Sequence, residues 1–202
     1  MKIYETRSAP NPRRVRIFLA EKSVNVKYVQ IDIEGRENLT PEFQAKSMKG
    51  KIPVLELDDG TCISETMAIC RYFEELFPDP LLLGETPLHK AQIEMWQRRM
   101  EFGLLMPVAM CFQHSTGYFK DRMTPVPEWG AESGKQVPEF YAYLNEHLAD
   151  NTYIAGEEFS VADITALCAI DFARVLKIRM GEAHPHLQRW HDLLQQRESV
   201  KA

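Results

Sequence analysis

The sequence predicts two unlike domains in one chain: an α/β domain over residues 1–79 and an all-helical domain over residues 86–202. Three observations carry this. Strand patterns and a hairpin turn signal occupy the first part of the chain, where helices alternate with them. Pro78-Asp79-Pro80 then ends the pattern, and Leu81 to Glu85 crosses to another. From Thr86-Pro87 onward the apolar residues recur at helical spacing, with little strand signal.

In the first domain, Lys2 to Tyr4 reads as a strand and the polar run Glu5 to Asn11 as a loop. Asn11-Pro12 is a cap followed by a first-turn proline, opening a helix to about Lys22 whose buried face is Val15, Phe18 and Leu19. Val26 to Ile33 alternates as a strand, and a short helix follows Thr40-Pro41. Gly50 to Phe77 supplies the rest: strand residues Ile52 to Leu57, the hairpin signal Asp59-Gly60, a short strand Thr61 to Ile63, and a helix opened by Ser64-Glu65-Thr66. Ile69, Cys70, Phe73, Leu76 and Phe77 lie three and four apart, as one buried helical face requires. The order β-α-β-α-β-β-α is a thioredoxin-like layout.

The second domain starts with Ile93, Trp96 and Met100 on an amphipathic helix that Pro107 must kink or end. Met106 to Phe119, MPVAMCFQHSTGYF, is rich in methionine and aromatic residues, which suits either an apolar binding surface or a core-facing helix. Lys120 to Lys135 reads as loop and short turns, and Val137 to Leu148 as a helix. Ser160 and Asp163 have the spacing of a capping box before an almost wholly apolar helix, which belongs at the centre of its domain. Pro185 opens the last helix, with Leu187, Trp190 and Leu194 facing inwards.

Composition bounds the chemistry. With 45% hydrophobic and 26% charged residues in 202, the chain is globular and can bury a sizeable core. A net charge of -5 argues against nucleic acid or anionic membranes as partners, and no apolar span reaches membrane length, so a cytoplasmic location is expected. Cys62, Cys70, Cys111 and Cys168 form neither a C-x-x-C pair nor a zinc-ligand pattern; buried structural thiols and no metal are expected.

Two features of Gly50 to Phe77 suggest a site. Pro53 opens a strand, where its missing donor is tolerated, and it is a candidate for a cis bond. The start of the following helix offers unpaired N–H groups and the positive end of its dipole to a carboxylate. An ordinary hairpin packed on a capped helix would give the same pattern.

The residues K-I-P-V-L, the DG turn and S-E-T opening a helix resemble the glutathione site of the cytosolic glutathione transferases. Pro12 to Lys22 and Gly156 to Thr165 are similar to that family as well, so the likeness spans nearly the whole chain. It implies the glutathione transferase fold and conjugation of the glutathione thiolate to small apolar electrophiles, a detoxification chemistry. Glutathione is then a co-substrate, and the protein a homodimer. Carried over, the glutathione-binding residues are Lys51, Ile52, Pro53, Glu65 and Thr66, with Asn38 at the glycine end; a loop asparagine is also a plain turn former.

Sulfur activation is where the sequence departs from the family. A free thiol is only about 3% ionised at pH 7, so the site must favour the thiolate. The position that usually donates to sulfur falls at or near Ala9, which cannot donate. Ser8, Asn11 and, in the second domain, His114 are the candidates; the alternatives are a turn residue, a helix cap and a partly exposed helix histidine. The bacterial and fungal subgroup that these runs most resemble also lacks the usual donor, and steadies a water near the sulfur with second-domain residues. An electrophile would sit against Met106, Met110, His114 and Tyr118. Two rival readings share the fold: a non-catalytic protein that binds glutathione or a partner, and a glutathione-dependent isomerase or disulfide reductase.

Overall fold

Lys2–Glu5 (β1), Lys27–Gln30 (β2), Val54–Glu56 (β3) and Cys62–Ser64 (β4) form one mixed sheet in the order β2-β1-β3-β4. β1 runs parallel to β2 and antiparallel to β3, and β3 pairs antiparallel with β4. The structure, a computed structural model, describes all 202 residues. Helices α1 (Pro10–Glu21), α2 (Pro41–Gln44) and α3 (Thr66–Leu76) complete the expected β-α-β-α-β-β-α order. α1 packs against α3, and Phe18 and Phe73 are fully buried. Full burial of side chains this large contributes about 1.5–3 kcal/mol each.

The chain divides into two units, Met1–Leu82 with Glu198–Ala202, and Leu83–Arg197. The expected second domain ran through residue 202. Instead the last five residues join the first unit, where Val200 is buried and Ser199 donates to the Glu21 carboxylate.

The first helix begins earlier than its sequence suggests. Pro10 takes its first position and Ala9 its cap, so Asn11 lies inside the first turn, where its side-chain oxygen accepts from Arg14 Nη1 at 3.2 Å. The capping role expected of Asn11 is not observed, because Pro10 is already preorganised for a helix start. Ser64 is likewise not a cap. It ends β4, and the cap of α3 is Glu65, with no side-chain bond.

The second unit is helical: α4 (Pro87–Met100), α5 (Met106–Ser115), α6 (Pro127–His147), α7 (Val161–Ala173) and α8 (Pro185–Gln195). Thr86 caps α4, accepting from His89 N–H at 3.2 Å. Pro107 does not end the helical path. Glu101–Leu105 widens into a π-helical turn, and Pro107 falls in the first turn of α5, where a missing N–H is tolerated.

The expected loop at 120–135 is partly wrong, since α6 starts at Pro127 and carries Gly130, Gly134 and Pro138. A Cβ on Gly130 would lie 2.4 Å from Ser115 Oγ, and one on Gly134 3.0 Å from Cys111 Sγ. These glycines let α6 approach α5 closely; they do not mark a loop.

The capping box of α7 is present, and the helix is buried from Val161 to Ile170 and again at Ala173. Asp163, wholly buried, accepts from Ile154 N–H, Ser160 N–H and Oγ–H, and the Trp190 indole at 2.8 Å. Burial pushes its carboxyl up, against the four hydrogen bonds that pull it down. Cys70, Cys111 and Cys168 are buried as expected; Cys62 is only partly so.

Candidate active site

The sheet brings the proposed first-unit residues to one end. Pairing of Val54 with Ser64 sets Pro53 across from Glu65 one step further along, and pairing of Tyr4 with Val54 sets Glu5 beside Pro53 on the other flank. Three segments therefore meet here: the turn after β1, the residues leading into β3, and the start of α3.

The Ile52–Pro53 peptide is cis. Pro53 is buried, Ile52 half-buried and Lys51 exposed. Just before them Gly50 has φ +65, and a Cβ there would come 2.0 Å from the Asn38 carbonyl oxygen. Asn38 is buried and its amide donates to Gly50 O at 2.9 Å. One donor of its side chain thus serves the segment leading to Lys51.

At α3 the cap residue Glu65 is exposed and has φ 73 and ψ 122, a sparsely populated conformation for any residue with a Cβ. Such a conformation costs about 1–3 kcal/mol and concentrates at binding sites. Thr66 is buried at the first helical position. No side chain caps the first-turn N–H groups of this helix, which leaves them for an anion.

The turn after β1 is Thr6 to Ala9, closed by Ala9 N–H to Thr6 O at 3.0 Å. Ser8 lies exposed at its centre. Pro10 and Pro12 have no N–H, so the first three positions of α1 offer a single backbone donor, Asn11. Thr6 Oγ donates to Ile31 O at 2.6 Å, tying the turn to the end of β2.

In the second unit Met106, Met110 and His114 recur every four residues and share one face of α5. Met106 is exposed, and Met110 and His114 are half-buried. Tyr118 lies beyond the helix with its ring 5.4 Å from that of Phe112. Val126 N–H donates to His114 Nδ1 at 3.0 Å. That bond puts the proton of the neutral ring on Nε2, which is then a donor.

Glu5, Arg16 and Gln30 back the turn, although no sequence motif marks them. Glu5 occupies an inward position of β1 and Arg16 the buried part of α1, and the two form an ion pair. The sequence puts Glu5 in a loop and Arg16 off the expected buried face of α1, so no local signal marks the pair.

Fold and sheet end together define a thioredoxin-like protein carrying an appended helical unit. Family patterns refine this: the glutathione S-transferase N-terminal domain matches residues 1–75, and the glutathione S-transferase C-terminal domain matches residues 116–198. Glutathione S-transferase 2 of Saccharomyces cerevisiae is 40% identical, over all of this chain and 88% of that protein. The crystal structure of Gtt2 from the same yeast superposes with a TM-score of 0.95, covering 100% of this chain and 99% of the other at 40% identity. A glutathione S-transferase domain-containing protein of Marinobacter aquaeolei gives 0.95 at 41% identity, over 99% of this chain and 100% of that one. The chain belongs to the glutathione S-transferase family, whose members transfer the thiol of glutathione to electrophiles.

No group of three or more His, Cys, Asp and Glu side chains is arranged to hold a metal, and no helix is long and apolar enough to cross a membrane.

Proposed function

We propose that glutathione binds at this end of the sheet and that its thiolate attacks small apolar electrophiles. The juxtaposition of Pro53 with Glu65 and the uncapped start of α3 carries the reading. The γ-glutamyl carboxylate meets Thr66 and the first-turn N–H groups of α3, and its ammonium pairs with Glu65. The cysteinyl backbone lies along Ile52 and Pro53, and Lys51 pairs with the glycyl carboxylate. Asn38 acts indirectly, through Gly50.

The sulfur then lies at the turn Thr6 to Ala9 and the start of α1. Stabilisation of the thiolate comes from backbone donors and the helix dipole rather than from the Ala9 side chain. Ser8 Oγ and Asn11 are the remaining donors of the first unit, and His114 Nε2–H is the donor the second unit offers. Electrophiles rest on the α5 stripe of Met106, Met110 and His114, with Tyr118 beyond it. The sulfur lone pair forms the new C–S bond, the leaving group departs, and the thiol proton passes to solvent. A cytoplasmic, homodimeric detoxification enzyme fits this chemistry.

The test is an ultraviolet titration of glutathione bound to the purified protein, beside conjugation of a chloronitrobenzene. A bound thiol more acidic than the free one, together with turnover, supports the reading. Binding without acidification would leave a glutathione-binding protein, and turnover only with disulfides or isomerisable substrates would leave the other rival. Absence of binding sinks the transferase reading and every other reading that needs glutathione, and leaves a protein that binds some other partner.

A further inference from the structure

The polar groups behind the turn close a ring. Glu5, buried at the end of β1, accepts at one oxygen from Gln30 Nε2 at 2.7 Å and at the other from Arg16 Nη1. Gln30 Oε1 accepts from Arg7 N–H at 3.0 Å, and Arg16 Nη2 donates to Arg7 O at 2.8 Å. Both peptide groups of Arg7, a central residue of the turn, are therefore held by side chains that converge on one carboxylate.

The ring sets an orientation. In a trans peptide the C=O and the next N–H point in opposite directions. With the Arg7 carbonyl drawn inward to Arg16, the Ser8 N–H is turned outward, away from the buried pair. Ala9 N–H is spent inside the turn, and Pro10 and Pro12 have none. Ser8 N–H and Asn11 N–H are the donors this segment can present. A buried pair of charges costs desolvation and is weak as a stabiliser by itself. Here it fixes a peptide plane.

We infer that Glu5, Arg16 and Gln30 are positioning residues for sulfur activation, holding the Arg7–Ser8 peptide so that Ser8 N–H faces the glutathione sulfur. The inference rests on the proposed location of the sulfur and adds the residues that make the turn competent.

The test compares wild type with Arg16→Lys and Gln30→Met. Lysine keeps the charge beside Glu5 but cannot also reach the Arg7 carbonyl in the same fork geometry. Gln30 is exposed, so its replacement leaves the core alone if Arg16→Lys fails to fold. Two readouts are taken: the thiol titration of bound glutathione, and the affinity for S-methylglutathione, which has no thiol to ionise. The expected result is a bound thiol less acidic than in wild type and a kcat/KM about tenfold lower at neutral pH, recovering as pH rises. S-methylglutathione affinity stays unchanged. An acidic bound thiol in wild type and equally in both variants overturns the inference while leaving the proposed function intact. Parallel loss of S-methylglutathione affinity overturns it in favour of a merely structural ring. A wild-type thiol no more acidic than free glutathione removes both the inference and the activation step beneath it.

Discussion

The Lys22 ammonium lies 2.6 Å from the Glu74 carboxylate, with the lysine side chain wholly shielded from solvent. It also donates to the carbonyls of Phe77, Pro78 and Pro80 at 2.8, 3.3 and 2.7 Å. One cation thus gathers the open carbonyl end of α3 and the segment that follows it. Replacing it strands a buried carboxylate. Lys22→Met is expected to cost about 3–5 kcal/mol, measured by urea unfolding. Adding Glu74→Leu should recover part of that loss, because the unpaired charge is then gone. A single variant as stable as wild type would show that the pair does not matter.

Glu65 separates binding from stability. Its carboxylate is exposed and makes no capping bond, so Glu65→Ala should leave the unfolding free energy within about 0.5 kcal/mol of wild type. The same change is expected to raise KM for glutathione about tenfold or more, the loss of one charge-assisted contact. Steady-state kinetics and thermal unfolding on one preparation decide it. An unchanged KM would remove Glu65 from the site.

His114 has two faces, and substitution can tell them apart. Nδ1 accepts the Val126 N–H, and Val126 caps α6. His114→Asn can keep an acceptor near Nδ1 but loses the Nε2 donor; His114→Ala loses both. Both variants should lower kcat about tenfold or more. Only alanine should also cost about 0.5–1.5 kcal/mol in unfolding. Full activity in His114→Asn would exclude Nε2 from the chemistry.

Acid should weaken the fold partly through Glu56. Lys46 first, then Lys2 and Tyr4, hold its carboxyl down at about 2, against an ordinary value of 4.5. A carboxyl depressed in the folded state contributes stability that is complete above its ordinary pKa and is lost as pH falls towards the folded value. Glu56→Gln should therefore unfold with a flatter pH dependence than wild type between pH 4.5 and 2, and differ most from it at the upper end of that window. Parallel curves would show that Glu56 gains nothing on folding.

Much of the fold was readable because its signals are local. Thr40 and Thr86 cap helices before prolines, Asp59-Gly60 turns the hairpin, and Ser160 with Asp163 closes a capping box. What failed was tertiary. Gly130 and Gly134 looked like loop residues because nothing nearby in sequence reveals that Ser115 and Cys111 press on them. The positive φ of Glu65 is invisible in a Ser-Glu-Thr string that equally suits an ordinary cap at Ser64. The pairing of Glu5 with Arg16 joins residues from different elements, so neither residue announces it alone. In the site, the order of Pro53 and Glu65 could be read, but their meeting required the β3–β4 register.

The return of Glu198–Ala202 to the first unit also bears on how the chain is made. Arg13 reaches the Val200 carbonyl at 3.4 Å, and Ser199 meets Glu21, so α1 lacks part of its surroundings until the ribosome has added these residues. All of Leu83–Arg197 must be synthesised before they appear. The domain that emerges first is thus the one that can be completed last, and until then its first helix is left partly uncovered.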